Sequence, residues 1–190
     1  MKIATERTIV RKRLVHDDQW VTATVVDVNF NNGKTISDFL LLEMKGNGHV
    51  LVSARLADGR FLFAHQCKPV SGMSIESVAG GCPSGVEHVQ TVIEEMVAET
   101  GYRPGQLLPI NTHGFLSQTD RVDNRGHIFL AFDCVLSEES GEQDEKQGVE
   151  PLILTPQEVW QKIESGEIKD LCTLAGIFAH FAHEAGKFPL

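Results

Sequence analysis

The strongest constraint on the fold is a single amphipathic helix in mid-chain, predicted over residues 86–100. Its apolar side chains recur at i, i+3, i+4, i+7 and i+8, which places them in one stripe along the helix. This stripe consists of Val89, Val92, Ile93, Met96 and Val97. Ser84 and Glu87 have the spacing of a capping box, and Gly101 fits the residue just past the end. The helix must therefore pack its stripe against another layer.

The segments around this helix are strand-like. Residues 20–30 are rich in β-branched side chains and end at the turn sequence Asn-Asn-Gly, 31–33. Further strand-like runs lie at 39–44, 49–56, 60–66, 106–116, 127–136 and 152–154. Many strands with few helices predict an α+β fold, in which a mixed β-sheet lies between helices as an α/β/α sandwich.

Two more helices are predicted in the C-terminal part. Thr155 and Glu158 form a second capping-box pattern, with Pro156 at the first helical position, and this helix should end near Gly166. The last helix is predicted over about 170–184 from its apolar pattern. Its predicted buried residues are Leu171, Leu174, Phe178 and Phe181.

Composition excludes several classes of protein. The chain of 190 residues is 42% hydrophobic and 23% charged, which favours a folded core over disorder. Lys and Arg number 17 against 26 Asp and Glu, and this net charge of -9 argues against non-specific nucleic-acid binding. Four widely spaced cysteines, a charged first segment and the absence of a long apolar run predict a reduced, cytoplasmic protein outside the membrane.

Glu95 and Glu99 are the first candidates for chemistry. They are four residues apart on the mid-chain helix and therefore share one flank, together with His88. Two carboxylates one turn apart can bracket a hard divalent cation such as Mg²⁺. The alternative interpretation is a solvated helix face, where acidic residues at this spacing are common.

A second cluster, His180, His183 and Glu184, lies on the last helix. Its H-x-x-H-E spacing could hold a transition metal. The favoured interpretation is that these are exposed side chains whose imidazoles suit a helix C-terminus.

The segment 80–102, GGCPSGVEHVQTVIEEMVAETGY, resembles the Nudix box, G-x5-E-x7-R-E-U-x-E-E-x-G-U, where U is a bulky apolar residue. Matching positions are held by Gly80, Glu95, Met96, Glu99, Gly101 and Tyr102. Three positions depart from the pattern. Val86 replaces the first Glu, Glu94 replaces the Arg, and Ala98 replaces the penultimate Glu.

The flanking sequence resembles the ADP-ribose pyrophosphatase branch of this family. Residues 66–68, QCK, stand in the place of its Q-x-R segment, and residues 76–80, ESVAG, in the place of E-L-P-A-G. Residues 165–170, SGEIKD, resemble its S-G-E-I-x-D element. The resemblance extends over residues 20–184, and the chain is identified as a member of the family on these motifs.

The resemblance implies a Nudix fold and metal-dependent hydrolysis of a nucleoside diphosphate sugar, with ADP-ribose as the default substrate. By similarity, Glu95, Glu99 and the main-chain carbonyl of Ala79 are the ligands of Mg²⁺ or Mn²⁺. Ala98 removes a further carboxylate, which should weaken binding of a second or third metal. Because Val86 and Glu94 replace both members of an opposite-charge pair, no lone charge is stranded.

The remaining site residues are implied in the same way. Lys68 and Glu76 are expected to bind the substrate, although Lys cannot reproduce the bidentate contact of an Arg. The general base is expected from an acidic loop, with Glu145 as the candidate and Glu142 and Glu150 as alternatives.

Two hypotheses concern the whole chain. Residues 1–45 are predicted to form an N-terminal β appendage to a Nudix domain of residues 46–190, and the branch commonly forms homodimers through such strands.

Because the box departs at three positions, the competing hypothesis to an enzyme is a catalytically impaired module that keeps the fold and has a nucleotide-binding or regulatory role.

Overall fold

The computed structural model describes residues 5–110, 113–116, 119–138 and 148–187. Every strand-like run predicted from the sequence contains a strand. The strands are β1 (Arg7–Asp17), β2 (Val21–Phe30), β3 (Thr35–Met44), β4 (His49–Leu56), β5 (Phe61–Lys68), β6 (Gly72–Glu76), β7 (Val78–Gly81), β8 (Tyr102–Arg103), β9 (Gln106–Pro109), β10 (Phe115–Leu116), β11 (Val122–Asp123), β12 (Arg125–Leu136) and β13 (Val149–Leu154). The helices are α1 (His88–Thr100), α2 (Pro156–Glu164) and α3 (Leu171–Glu184). No helix in the described ranges is long and apolar enough to cross a membrane.

The central sheet is mixed. Its main path runs β10-β12-β4-β5-β13, while β6 pairs with β5, β7 with β4, and both β8 and β9 with β12. β12 and β4 are parallel, and the other pairs in this sheet are antiparallel. The register of β7 on β4 places Gly80 opposite Val50.

Helices cover both faces of this sheet. Successive residues of a strand point to opposite faces, and β4 shows this clearly. Val52 packs in one core cluster with Met96 of α1. On the opposite face, Gly176 of α3 lies so close to Ser53 that an added Cβ would be 2.9 Å from the serine Cβ. The predicted α+β architecture, with a mixed sheet between helices, is confirmed.

A separate sheet is built from the N-terminal strands. Its order is β1-β2-β3-β11, and β11 runs parallel to β3. β1 lies at the edge and is exposed along its whole length. Its exposed apolar side chains are Ile9, Val10, Leu14 and Val15. This sheet lies where the appendage was predicted, and the division of the chain at residue 45 stays a prediction.

The start of α1 differs from the prediction. The helix begins at His88, and Glu87 is its N-cap without a side-chain hydrogen bond. The capping box of Ser84 and Glu87 is therefore wrong. The physical reason is a turn before the helix, in which the Val86 N–H donates to the Pro83 carbonyl at 3.2 Å. This turn separates Ser84 from the first helical N–H groups.

The rest of α1 follows the predicted stripe with one shift. Gly101 caps the C-terminus in the left-handed conformation with φ 76°, as predicted. Val89, predicted to be buried, is 47% exposed. Thr91 and Ala98 are buried instead. The buried face of α1 thus differs from the apolar stripe: it leaves the first turn exposed at Val89 and extends to Thr100 at the C-terminal end.

The end of the chain confirms α2 and corrects α3. Thr155 and Glu158 form the predicted capping box, and Pro156 begins α2. In α3, Leu171 and Phe178 were predicted to be buried but are 72% and 47% exposed. The face packed on the sheet consists of Thr173, Gly176, Ile177 and His180. The small Gly176 allows this face to approach β4, and Leu174 and Phe181 pack partly buried at its edge.

The prediction that His180 is exposed is also wrong. Its side chain is fully buried, and Nε2 donates to the Ser53 carbonyl at 2.6 Å. Burial lowers the pKa of His180 to about 4, so the imidazole is neutral near pH 7. Glu184 is exposed and forms an ion pair with Arg55. The two residues thus have different structural roles, although they are one turn apart.

Candidate active site

Helix α1 brings Glu95 and Glu99 against strand β7. The Glu95 side chain lies directly over the Cα of Gly80, where an added Cβ would overlap its carboxylate. Glu99 Oε2 accepts a hydrogen bond from the Ala79 N–H at 3.3 Å. Both predicted carboxylates therefore lie beside the backbone predicted as the third ligand. Their roles as metal ligands stay predictions.

Strand β5 supplies a second wall around Glu99. Leu62 belongs to the core cluster under α1, and residues at even positions of β5 share its face. After Ala64, Gln66 and Lys68 are the last even positions of the strand, which places them beside the last turn of α1. Gln66 is only 7% exposed.

The surroundings of Glu99 oppose its ionisation. Burial raises the pKa of the Glu99 carboxyl to about 7, and the negative charge of Glu76 acts in the same direction. Hydrogen bonds from the Ala79 N–H and the Gln66 amide, and the charge of Lys68, act against this shift. The two predicted substrate-binding residues, Lys68 and Glu76, thus both lie within electrostatic reach of Glu99.

The donor set suits a hard divalent cation. Two carboxylates and a main-chain carbonyl offer oxygen atoms, which Mg²⁺ prefers over nitrogen or sulfur. In the described residues, no group of three or more His, Cys, Asp and Glu side chains could hold a metal ion. A cation bound here would complete its coordination with water and substrate oxygens, as is usual for Mg²⁺. The residues present therefore fit Mg²⁺ or Mn²⁺.

The three residues that depart from the Nudix box fit their surroundings. Glu94 is exposed, and its carboxylate accepts a hydrogen bond from the Gln90 amide at 2.6 Å. Val86 is partly buried in the turn before α1. Ala98 is 6% exposed and packs as a small core residue. None of the three leaves an ionised group without solvent or a partner.

The remaining sequence candidates are three glutamates and His88. Glu145 and Glu142 fall outside the described residues, and Glu150 is an exposed residue of β13 opposite His65 of β5. His88 contacts the Asn47 carbonyl at 3.0 Å and stacks on His127, with ring centroids 3.8 Å apart. The general base therefore stays a prediction.

Gln66 is a site residue to which the sequence analysis gave no role of its own. It belongs to the QCK segment, two residues before Lys68. The two-residue period of a strand predicts that these side chains share a face, so the signal was present in the spacing. What the spacing could not predict is that this face meets the last turn of α1.

The chain resembles known hydrolases in sequence. No model of a known protein family matches the chain. It is 30% identical to the ADP-ribose pyrophosphatase of Bacillus subtilis (strain 168) over 178 residues, which cover 93% of each chain. It is 27% identical over 121 residues to the CMP-5'-(N-acetyl-N-hydroxy-3-aminopropyl)phosphonate hydrolase of Streptomyces rubellomurinus (strain ATCC 31215), covering 63% of this chain and 56% of that one.

A solved structure shares the fold. The crystal structure of an ADP compounds hydrolase superposes with a TM-score of 0.76 at 14% sequence identity, covering 98% of this chain and 100% of that chain.

We expect Glu99→Gln to stabilise the metal-free protein at pH 8 and to leave its stability nearly unchanged at pH 4.5. With a pKa of about 7 in the fold and an ordinary value of 4.5, the wild-type carboxyl makes the fold less stable as the pH rises from 4.5 to 7. The loss is roughly 3 kcal/mol at pH 8, and glutamine avoids it because it has no charge to bury.

Urea unfolding with a chelator present measures this difference at both pH values. Glu94→Gln, on the exposed face of the same helix, is the control and should show no such gain. Equal free energies of unfolding for wild type and Glu99→Gln at pH 8 would contradict the raised pKa.

We expect Gly80→Ala to weaken Mn²⁺ binding while Gly81→Ala leaves it unchanged. The alanine methyl group at position 80 would displace the Glu95 carboxylate, whereas a Cβ at Gly81 has no atom within 4 Å. A Mn²⁺ titration followed by electron paramagnetic resonance should give a Kd about tenfold higher for Gly80→Ala than for the wild type. Equal Mn²⁺ affinities of the two variants would contradict the assignment of Glu95 to the metal site.

Proposed function

The chain belongs to the Nudix hydrolases, in the branch of ADP-ribose pyrophosphatase, and we propose that it uses a divalent metal to cleave the pyrophosphate of a nucleoside diphosphate sugar. ADP-ribose is the default substrate, and the products are AMP and a sugar phosphate. The observation that supports this most is the placement of Glu95 and Glu99 against the backbone of Ala79 and Gly80.

In this proposal, Glu95, Glu99 and the Ala79 carbonyl hold Mg²⁺ or Mn²⁺. When bound, such an ion neutralises pyrophosphate charge and activates water. The chain has a net charge of -9, so a bound cation also reduces repulsion of an anionic substrate. Glu99 has to lose its proton before it can serve as a ligand, because only the carboxylate binds the metal strongly.

Lys68 and Glu76 are proposed to orient the substrate. The Lys68 ammonium group is a point charge suited to a phosphate oxygen, and its position beside Glu99 is at the edge of the metal site. Glu76 can accept a hydrogen bond from a sugar hydroxyl or a base amino group. Together, Lys68 and Glu76 bind the phosphate and the hydroxyl groups of one ligand on the same side of the site.

Glu145 is proposed as the general base that accepts a proton from the attacking water. Glu142 and Glu150 are the alternatives. A base has to come within about 3 Å of the water, directly or through one more water. Single Glu→Gln variants therefore test which of the three residues is the base. The variant of the true base should lose about 10²- to 10⁴-fold in kcat, and the others should lose little.

The test of the function is release of AMP from ADP-ribose, with a panel of other nucleoside diphosphate sugars and a CMP-linked phosphonate, in Mg²⁺ or Mn²⁺. We expect turnover of at least one compound. Glu95→Gln/Glu99→Gln should fall below about a thousandth of the wild-type rate, because the metal contributes several kcal/mol to catalysis.

The controls separate the two hypotheses for this chain. Glu94→Gln keeps a folded helix and should retain the wild-type rate. Turnover that survives in the double variant would remove the metal assignment. No turnover of any compound, with ligand binding still measured by calorimetry, would favour the binding or regulatory module.

We also propose that the chain forms a homodimer through its N-terminal strands. β1 is an edge strand, and its exposed apolar residues include Val10 and Leu14, at 56% and 60%. Exposed edges with apolar side chains favour pairing with another chain, and closed two-fold assembly is the commonest outcome.

Light scattering after size exclusion tests this assembly. We expect a dimer at micromolar concentration for the wild type and a monomer for Val10→Lys/Leu14→Lys, because two charges would have to be buried at the interface. Val70→Lys, at a fully exposed position, is the matched control and should remain a dimer. A wild-type monomer at micromolar concentration would contradict the proposal.

A further inference from the structure

The segment between α2 and α3 is hydrogen-bonded to the strand that leads into the candidate active site. We call residues 167–173 the clamp. Three bonds join it to residues 71–77: Lys169 Nζ donates to the Ser71 carbonyl (2.7 Å), the Ile75 N–H to the Glu167 carbonyl (3.2 Å), and the Ser77 N–H to the Thr173 hydroxyl (3.0 Å). The three bonds therefore attach the clamp to β6 itself and to the residue on either side of this strand.

Thr173 is the most enclosed contact of the clamp. Its side chain is fully buried, and Ser77 is only 2% exposed. The N-cap residue Asp170 accepts a hydrogen bond from the Thr173 N–H at 2.7 Å, which fixes the first turn of α3 under Ser77. Ile168, at 2% exposed, anchors the same segment in the core.

The bonded residue lies between the two parts of the site. Ser77 directly follows Glu76, which acts on Glu99, and precedes β7 with Ala79 and Gly80. β7 is held on one side by its pairing with β4, and the clamp fixes the corner before it. A shift at Ser77 would therefore move the Glu76 side chain and the Ala79 backbone together.

We propose that Thr173 is a positioning residue, whose hydroxyl holds the Ser77 backbone so that Glu76 and the Ala79–Gly80 backbone face α1 correctly. This inference rests on the proposed metal site at Glu95 and Glu99. Residues that orient metal ligands from behind commonly affect affinity by about 10- to 100-fold when removed. Thr173 acts through the backbone, so the lower end of this range applies.

The test compares three variants. Thr173→Val keeps the shape and removes the acceptor, Thr173→Ser keeps the acceptor, and Ile177→Val removes one methylene from the same buried face of α3 without touching Ser77. Thr173→Val leaves the buried Ser77 N–H without its partner, which lowers stability. Ile177→Val also lowers stability, by removing buried apolar volume, so it controls for a general loss of stability.

Two readouts are measured on each variant. Amide hydrogen exchange of the metal-free protein should be faster in residues 76–81 of Thr173→Val, and unchanged there in Ile177→Val and Thr173→Ser. Mn²⁺ titration by electron paramagnetic resonance should show about a tenfold weaker Kd for Thr173→Val, with Thr173→Ser restoring it.

The outcomes distinguish this inference from the proposed function. Unchanged exchange, or faster exchange with unchanged Mn²⁺ affinity, would overturn the positioning role of Thr173. Mn²⁺ binding that survives in Glu95→Gln/Glu99→Gln would overturn the proposed metal site, and the exchange data would then still decide whether the clamp orders residues 76–81.

Discussion

The close packing of Glu95 on Gly80 is the contact on which the candidate site depends. Because position 80 has no side chain, the carboxylate of α1 can lie directly on the backbone of β7. The same approach brings Glu99, one turn further along, to the Ala79 N–H. β4 holds this backbone from the other side through the pair of Val50 and Gly80. This glycine thus allows the helix to contact the strand and, through it, the central sheet, and a larger residue would displace the Glu95 carboxylate from the backbone of β7.

Local signals in the sequence predicted the elements that depend on local chemistry. The capping box of Thr155 and Glu158 is found because its bonds form within one turn, and Gly101 is found because a left-handed C-cap favours glycine wherever the helix lies. Ser84 and Glu87 have the same capping-box spacing, but a turn intervenes before the helix starts at His88. A capping pattern shows which side chains could bond to the first N–H groups of a helix, and the path of the backbone before the helix decides whether these bonds form.

The buried face of α3 could not be predicted in this way, since apolar residues surround most of this helix. The sheet selects the face with Gly176, because a small residue permits close approach to Ser53, and it leaves Leu171 exposed. His180 is buried for the same reason, and it is tolerated because the Ser53 carbonyl accepts its N–H. Which face of α3 is buried depends on the surface that the helix meets, and this surface belongs to β4, about 120 residues earlier in the chain.

The electrostatics of the site give a physical account of the altered Nudix box. Burial together with Glu76 already holds the pKa of Glu99 near neutrality. A further carboxylate at the position of Ala98 would add like charge to a helix that carries Glu95 and Glu99, and would raise the pKa of Glu99 further unless more metal were bound. If Glu95 and Glu99 hold the metal as proposed, alanine at this position lowers the repulsion among the carboxylates and leaves fewer ligands for a second or third cation. The replacement of both members of the charge pair by Val86 and Glu94 is compatible with that proposal.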